Sequence, residues 1–81
     1  MPYIDQKTRI FIAGGGKITQ AGELNYKITK VILDYILKKG ESYQTYNDVL
    51  GVLTALPLEL YRRKIAPYED KKIKENGDVY Q

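Results

Sequence analysis

Tyr61, Arg62, Arg63 and Lys64, followed beyond a proline by Tyr68, Lys71 and Lys72, are the residues whose types and spacing best suit chemistry, and that chemistry is recognition. An arginine guanidinium is a planar fork of donors that matches phosphate geometry, and a tyrosine ring offers a face on which a base can stack. Together they suit a phosphorylated, base-containing small molecule. The competing reading is a solvent-facing basic helix end, with Arg62 and Arg63 paired to Glu59 or Glu69. Tyr26, Tyr43 and Tyr46 fall around expected helix starts and read as subunit contacts instead.

No catalytic residue stands out. The 81 residues contain neither His nor Cys, which removes the commonest general base, the commonest metal ligand, thiol chemistry and disulfides. No metal site and no cofactor are expected. Glu69 with Asp70, and Glu75 with Asp78, sit among lysines and suit solvated ion pairing rather than acid–base work. No carboxylate falls clearly on an apolar face, where burial would raise its pKa toward a catalytic value. Gly14-Gly15-Gly16-Lys17-Ile18-Thr19 has the glycines and lysine of a phosphate loop but not its spacing, and reads as a flexible connector.

These residues need helices to position them. From Asn25 to Lys39, Ile28, Val31, Ile32, Tyr35 and Ile36 recur at the spacing of an amphipathic helix, with Asn25 as cap and Gly40 as stop. After a short turn, Thr45 and Asp48 resemble a capping box for a second helix over residues 45–65, its apolar face reading Tyr46, Val49, Leu50, Leu53, Leu56, Leu60 and Tyr61. Pro57 should kink it, and Pro67 should stop it one residue earlier. The two helices, about 25–39 and 45–65, predict an all-α helical hairpin. By periodicity the run Arg9-Ile10-Phe11-Ile12-Ala13 suits a strand or a helix; a short N-terminal helix from about Asp5 to Ala13 is favoured, because a lone strand would find no partner strand in the chain. A C-terminal element opens at Pro67 and ends at Asn76-Gly77; the segment is either a solvated arm or a strap packed through Ile65, Tyr68, Ile73, Val79 and Tyr80, and the strap is favoured.

A single helical domain over 1–81 is expected. At this length an isolated core leaves only about 3–5 kcal/mol of net stability, so association with copies of itself is the expected remedy. Formal charge is +3, a mild bias that makes nucleic acid an improbable partner. No apolar run is long enough to span a bilayer and the N-terminus has no signal-like pattern, which places the protein in the cytoplasm, without a membrane partner.

The stretch Ala21-Gly22-Glu23-Leu24-Asn25-Tyr26 with Ile28-Thr29-Lys30, and the tail Tyr61-Arg62-Arg63 with Ala66-Pro67-Tyr68-Glu69-Asp70-Lys71-Lys72-Ile73-Lys74-Glu75-Asn76-Gly77-Asp78-Val79-Tyr80, resemble a family of short proteins of unknown function found in phages, prophages and some bacteria and archaea. The resemblance covers most of the chain after Thr19. The glycine run at 14–16 and Pro57 depart from the family pattern. It implies a phage-linked setting and brings no activity, cofactor or catalytic residue. The resulting expectation is a non-enzymatic, homo-oligomeric binding protein that sequesters an anionic, nucleotide-derived immune signal. The alternatives are an inhibitor or adaptor that docks on a host or phage protein, and a weak nucleic-acid binder.

Overall fold

A computed structural model describes residues 1–80. The described residues are all-α, with no strand: α1 (Gln6–Ala13), α2 (Ala21–Lys39), α3 (Tyr43–Leu60), a π-helical turn (Tyr61–Ile65) and α4 (Ala66–Asn76). The chain divides into two compact units, Met1–Tyr46 and Asn47–Gln81.

In the first unit, Asp5 caps α1, its Oδ1 accepting from the Thr8 N–H at 2.8 Å. Hydrogen bonds from the Thr8 backbone and hydroxyl hold the Asp5 carboxyl below its ordinary range, helped by the Arg9 charge. The glycine run is a helix stop, not the flexible connector its composition suggests. Gly16 N–H bonds to Phe11 O at 2.8 Å and Gly15 N–H to Ile12 O at 3.0 Å, the paired bonds of a Schellman closure. Gly15 has φ +92°, which a side chain resists. At Gly16 the reason is space: a Cβ there would lie 2.4 Å from the Phe11 ring.

The chain re-enters at α2 four residues before the expected Asn25 cap. Gln20 precedes the helix without a side-chain bond; Glu23 Oε1 accepts from Thr19 N–H at 3.0 Å, tying down the residue before the cap and setting a carboxylate in the first turn, where the positive end of the helix favours it. Asn25 lies inside the helix and accepts from the Thr29 hydroxyl at 3.1 Å. α2 does stop at Gly40, with φ 88° and ψ 145°, a region essentially reserved for glycine. The opening of α3 also differs from the capping box expected at Thr45. Ser42 is the residue that caps, its Oγ accepting from Thr45 N–H at 3.1 Å, while Thr45 Oγ1 donates to Gly40 O at 2.8 Å. Thr45, 3% exposed, is thus buried with its hydroxyl satisfied. Helices α1 and α2 pack together, and Ile12, 2% exposed, is the buried apolar residue among those described.

The second unit is one long helix continuing from α3, with a short tail. Pro57 lies within α3. The stop expected before Pro67 is absent, because Ala66 keeps helical angles of φ −59° and ψ −46°. Its physical reason lies just upstream. In regular α geometry the Pro67 ring would meet the Arg63 carbonyl. The turn over Tyr61–Ile65 is wider, with Ala66 N–H bonded to Tyr61 O five residues back, and such an insertion relieves the crowding. The inserted residue also resets register by about 100°, bringing Ile65 and Tyr68 within about 40° of the seam formed by Val49, Leu53, Leu56 and Leu60. Ile65, Tyr68 and Ile73 remain exposed, and Val79 and Tyr80 are each 86% exposed, so the tail does not pack as the expected strap. Its 21-residue charged context keeps it solvated.

The stop at 14–16 is testable by substitution. Gly16→Ala is expected to cost about 1–3 kcal/mol through overpacking on Phe11. Gly14→Ala, whose Cβ meets nothing nearer than 3.6 Å, is expected to stay within about 0.5 kcal/mol. Urea unfolding of both variants checks the difference.

Candidate functional site

The residues singled out by sequence lie on two consecutive stretches of the second unit. Tyr61, Arg62, Arg63 and Lys64 form the π turn, and Tyr68, Lys71 and Lys72 lie on α4. Both arginines are engaged by one carboxylate. Arg62 Nη2 lies 3.1 Å from Glu59 Oε1 and 3.2 Å from Oε2, and Arg63 Nη1 lies 3.8 Å from Oε1. These are exposed pairs, worth little to stability, yet they partly neutralise the fork that an anion would use. The Tyr61 hydroxyl donates to Glu69 Oε1 at 2.8 Å. Lys72 lies over the Tyr68 ring, 5.6 Å from its centroid, and 3.5 Å from Glu75 Oε1.

Of the seven, Tyr61 and Lys72 line a concavity of about 580 Å³ between α4 and residues 77–80. Arg62, Arg63, Lys64, Tyr68 and Lys71 are not part of its wall. Its charged lining is Glu69, Asp70 and Asp78 against Lys72, an acidic balance that opposes an anionic ligand. The tail shapes one side through Gly77 N–H to Ile73 O and Tyr80 N–H to Asp78 Oδ1, both 2.8 Å. The lining residues Asn76, Val79 and Tyr80 were not among the expected site residues; their only signal was the apolar pair at the end of a charged tail.

A second cleft, of about 230 Å³, lies in the first unit and is lined by Pro2, Tyr3, Arg9, Tyr26, Thr29, Lys30 and Leu33. Here the charge is all of one sign. The cleft is assembled from three places in the sequence. A tight turn, Ile4 N–H to Pro2 O at 2.9 Å, sets the N-terminal residues, and they lie against α2 at Gly22, where a Cβ would come 3.4 Å from Met1 O. Arg9 then bridges the parts: its Nε donates to Ile4 O at 2.8 Å and its guanidinium carbon lies 5.8 Å from the Tyr26 centroid.

Among the described residues no group of acidic side chains comes together that could hold a metal, and no helix is long and apolar enough to cross a membrane. The chain belongs to the family described as Domain of unknown function (DUF6899), whose pattern matches residues 1–79. No curated protein and no solved structure matches it.

The Tyr61–Glu69 hydrogen bond has a pH signature. The carboxylate acceptor stabilises the neutral phenol and holds the Tyr61 pKa above the ordinary 10.0. Because the folded value is raised, the contribution of this bond is present below the unfolded value and is lost as pH rises through the folded one. Ultraviolet titration is expected to show this step above 10, and Glu69→Gln to move it down. An unchanged step would remove the bond from solution.

Proposed function

We propose that this chain is a non-enzymatic binding module that acts as a homo-oligomer, its long helix covered by a second copy of itself. The observation that carries the reading is in the second unit. Leu50, Leu53, Leu56, Leu60 and Ile65 are all exposed on a helix with no buried apolar side chain. A helix cannot bury its own stripe, and its stability in water comes from packing of that face. Contiguous exposed apolar surface of this kind marks an association surface.

Charge favours a second copy, laid antiparallel, as the occupant. Residues 47–60 carry Asp48 and Glu59 and no basic residue, whereas residues 61–76 carry six basic residues against three acidic ones. An antiparallel pair sets the acidic half of each helix beside the basic half of the other, the self-complementarity that a two-fold interface requires. The one-residue insertion at the π turn supports this by keeping Ile65 and Tyr68 near the leucine seam.

What the assembly captures is, in this reading, an anionic, ring-bearing small molecule. Tyrosines beside basic residues in the first unit, with no carboxylate in the lining, support that class. In the phage-linked setting implied by the sequence resemblance, the ligand would be a nucleotide-derived signal of host defence, held rather than transformed. Sequestration needs geometry and charge but no acid, base or nucleophile.

Sedimentation velocity provides the test of assembly. A dimer or larger species is expected at micromolar concentration, weakening as salt rises. Leu53→Glu and Leu56→Glu on the seam are expected to weaken assembly at least about tenfold, while Leu58→Glu, on the opposite side, leaves it intact. A chain that stays monomeric to near-millimolar concentration while unfolding cooperatively overturns the reading.

A further inference from the structure

We propose that the cleft of Tyr3, Arg9, Tyr26 and Lys30 is the site that takes this ligand, and that it recognises an anionic group and one planar ring together. The proposal rests on the ligand class proposed above and moves the site away from the Tyr61–Lys72 cluster.

Four observations carry it. First, Arg9 is fixed by contacts that include no ion pair. One of its five N–H groups is used on the Ile4 carbonyl, and its plane lies near the Tyr26 ring; it forms no ion pair among the described residues, in contrast to Arg62 and Arg63. A guanidinium held by a carbonyl and an aromatic face, with its terminal nitrogens still available, is pre-organised for a phosphate or carboxylate. Second, Lys30 adds a second positive charge to the same wall and has no ion-pair partner among the described residues.

Third, no carboxylate lines the cleft. Asp5, whose carboxyl feels the Arg9 charge, is hydrogen-bonded to Thr8 at the start of α1 and is not part of the wall. The field inside is therefore positive, the reverse of the C-terminal concavity. Fourth, Tyr3 and Tyr26 both contribute to the lining, and Tyr3 is exposed. Tyr26 already faces the guanidinium, so Tyr3 is the surface open to a ring.

Size sets the limit on what enters. At about 230 Å³ the cleft falls under the ~300–1,000 Å³ of pockets that enclose drug-sized ligands. It has room for an anionic group and one ring, so a mononucleotide fits it better than a dinucleotide.

The test uses the full chain, with AMP, inorganic phosphate and adenosine as probes, followed by calorimetry and by amide and side-chain chemical shifts. AMP is expected to bind more tightly than either fragment, with shifts at Tyr3, Arg9, Tyr26 and Lys30. Lys30→Gln is expected to weaken AMP and phosphate about tenfold. Tyr3→Leu should weaken AMP and leave phosphate unchanged. Both positions are exposed, so neither variant threatens the fold; Arg9→Lys, which also loses the Ile4 anchor, is read alongside circular dichroism. Arg62→Ala with Arg63→Ala should change nothing. Shifts at residues 61–72, with binding lost in the latter double variant, overturn the cleft and leave the ligand class standing. Equal affinity for phosphate and AMP overturns the ring. No binding of any probe at millimolar concentration overturns both the cleft and the ligand class, while the assembly reading is judged separately by sedimentation.

Discussion

A helix satisfies its own backbone but cannot shelter its own side chains, and most of what distinguishes this protein follows from that constraint. The unit from Asn47 onward consists of one helix and a tail. Its leucines have no interior of their own to enter. The free energy of hiding them, about 1.5–3 kcal/mol for each fully buried large aliphatic side chain, is available only through contact with another surface. In the first unit the problem is solved on a small scale, by α1 closing over α2 on Ile12.

Backbone chemistry decides how the two units are punctuated, and it was legible in proportion to how local it is. The end of α2 at Gly40 follows from a glycine, a signal carried by a single residue, whereas α1 is favoured over a strand only for want of a partner strand, and its Asp5 cap is visible in the structure alone. The starts of α2 and α3 were displaced because several residues compete to cap. α2 opens at Ala21 with no capping side chain and is tied to Thr19 by Glu23, and Ser42 takes the role assigned to Thr45. The rule that a helix ends before proline failed at Pro67 because the chain widens upstream instead of breaking, and nothing in the pattern of Tyr61–Ile65 announces a π turn. The run of three glycines, loose by composition, is tied down by bonds to Phe11 and Ile12.

For the site, sequence could identify charges but not their obligations. The cluster at 61–72 was visible because its residues are neighbours in the chain, and so was the pairing of its arginines with Glu59. Tyr3, Arg9, Tyr26 and Lys30 are scattered over 28 positions and come to line one cleft only when α1 turns back on α2. A constellation drawn from three segments leaves no spacing to read. What could have hinted at it is Arg9 itself, the cation that opens the apolar run Ile10-Phe11-Ile12-Ala13.

Two prolines ten residues apart, at 57 and 67, each withhold one amide from the ladder of the long helix, and the turn between them replaces a four-residue rung with a five-residue one. The cross-ties are therefore sparsest over one central stretch and complete on either side of it. Bending a helix costs least where its ties are fewest, so this stretch is where the long helix resists a bend least. Leu50, Leu53 and Leu56 lie before this stretch and Lys71, Lys72 and Lys74 beyond it, so a bend there would change the angle between the two sets and leave each intact.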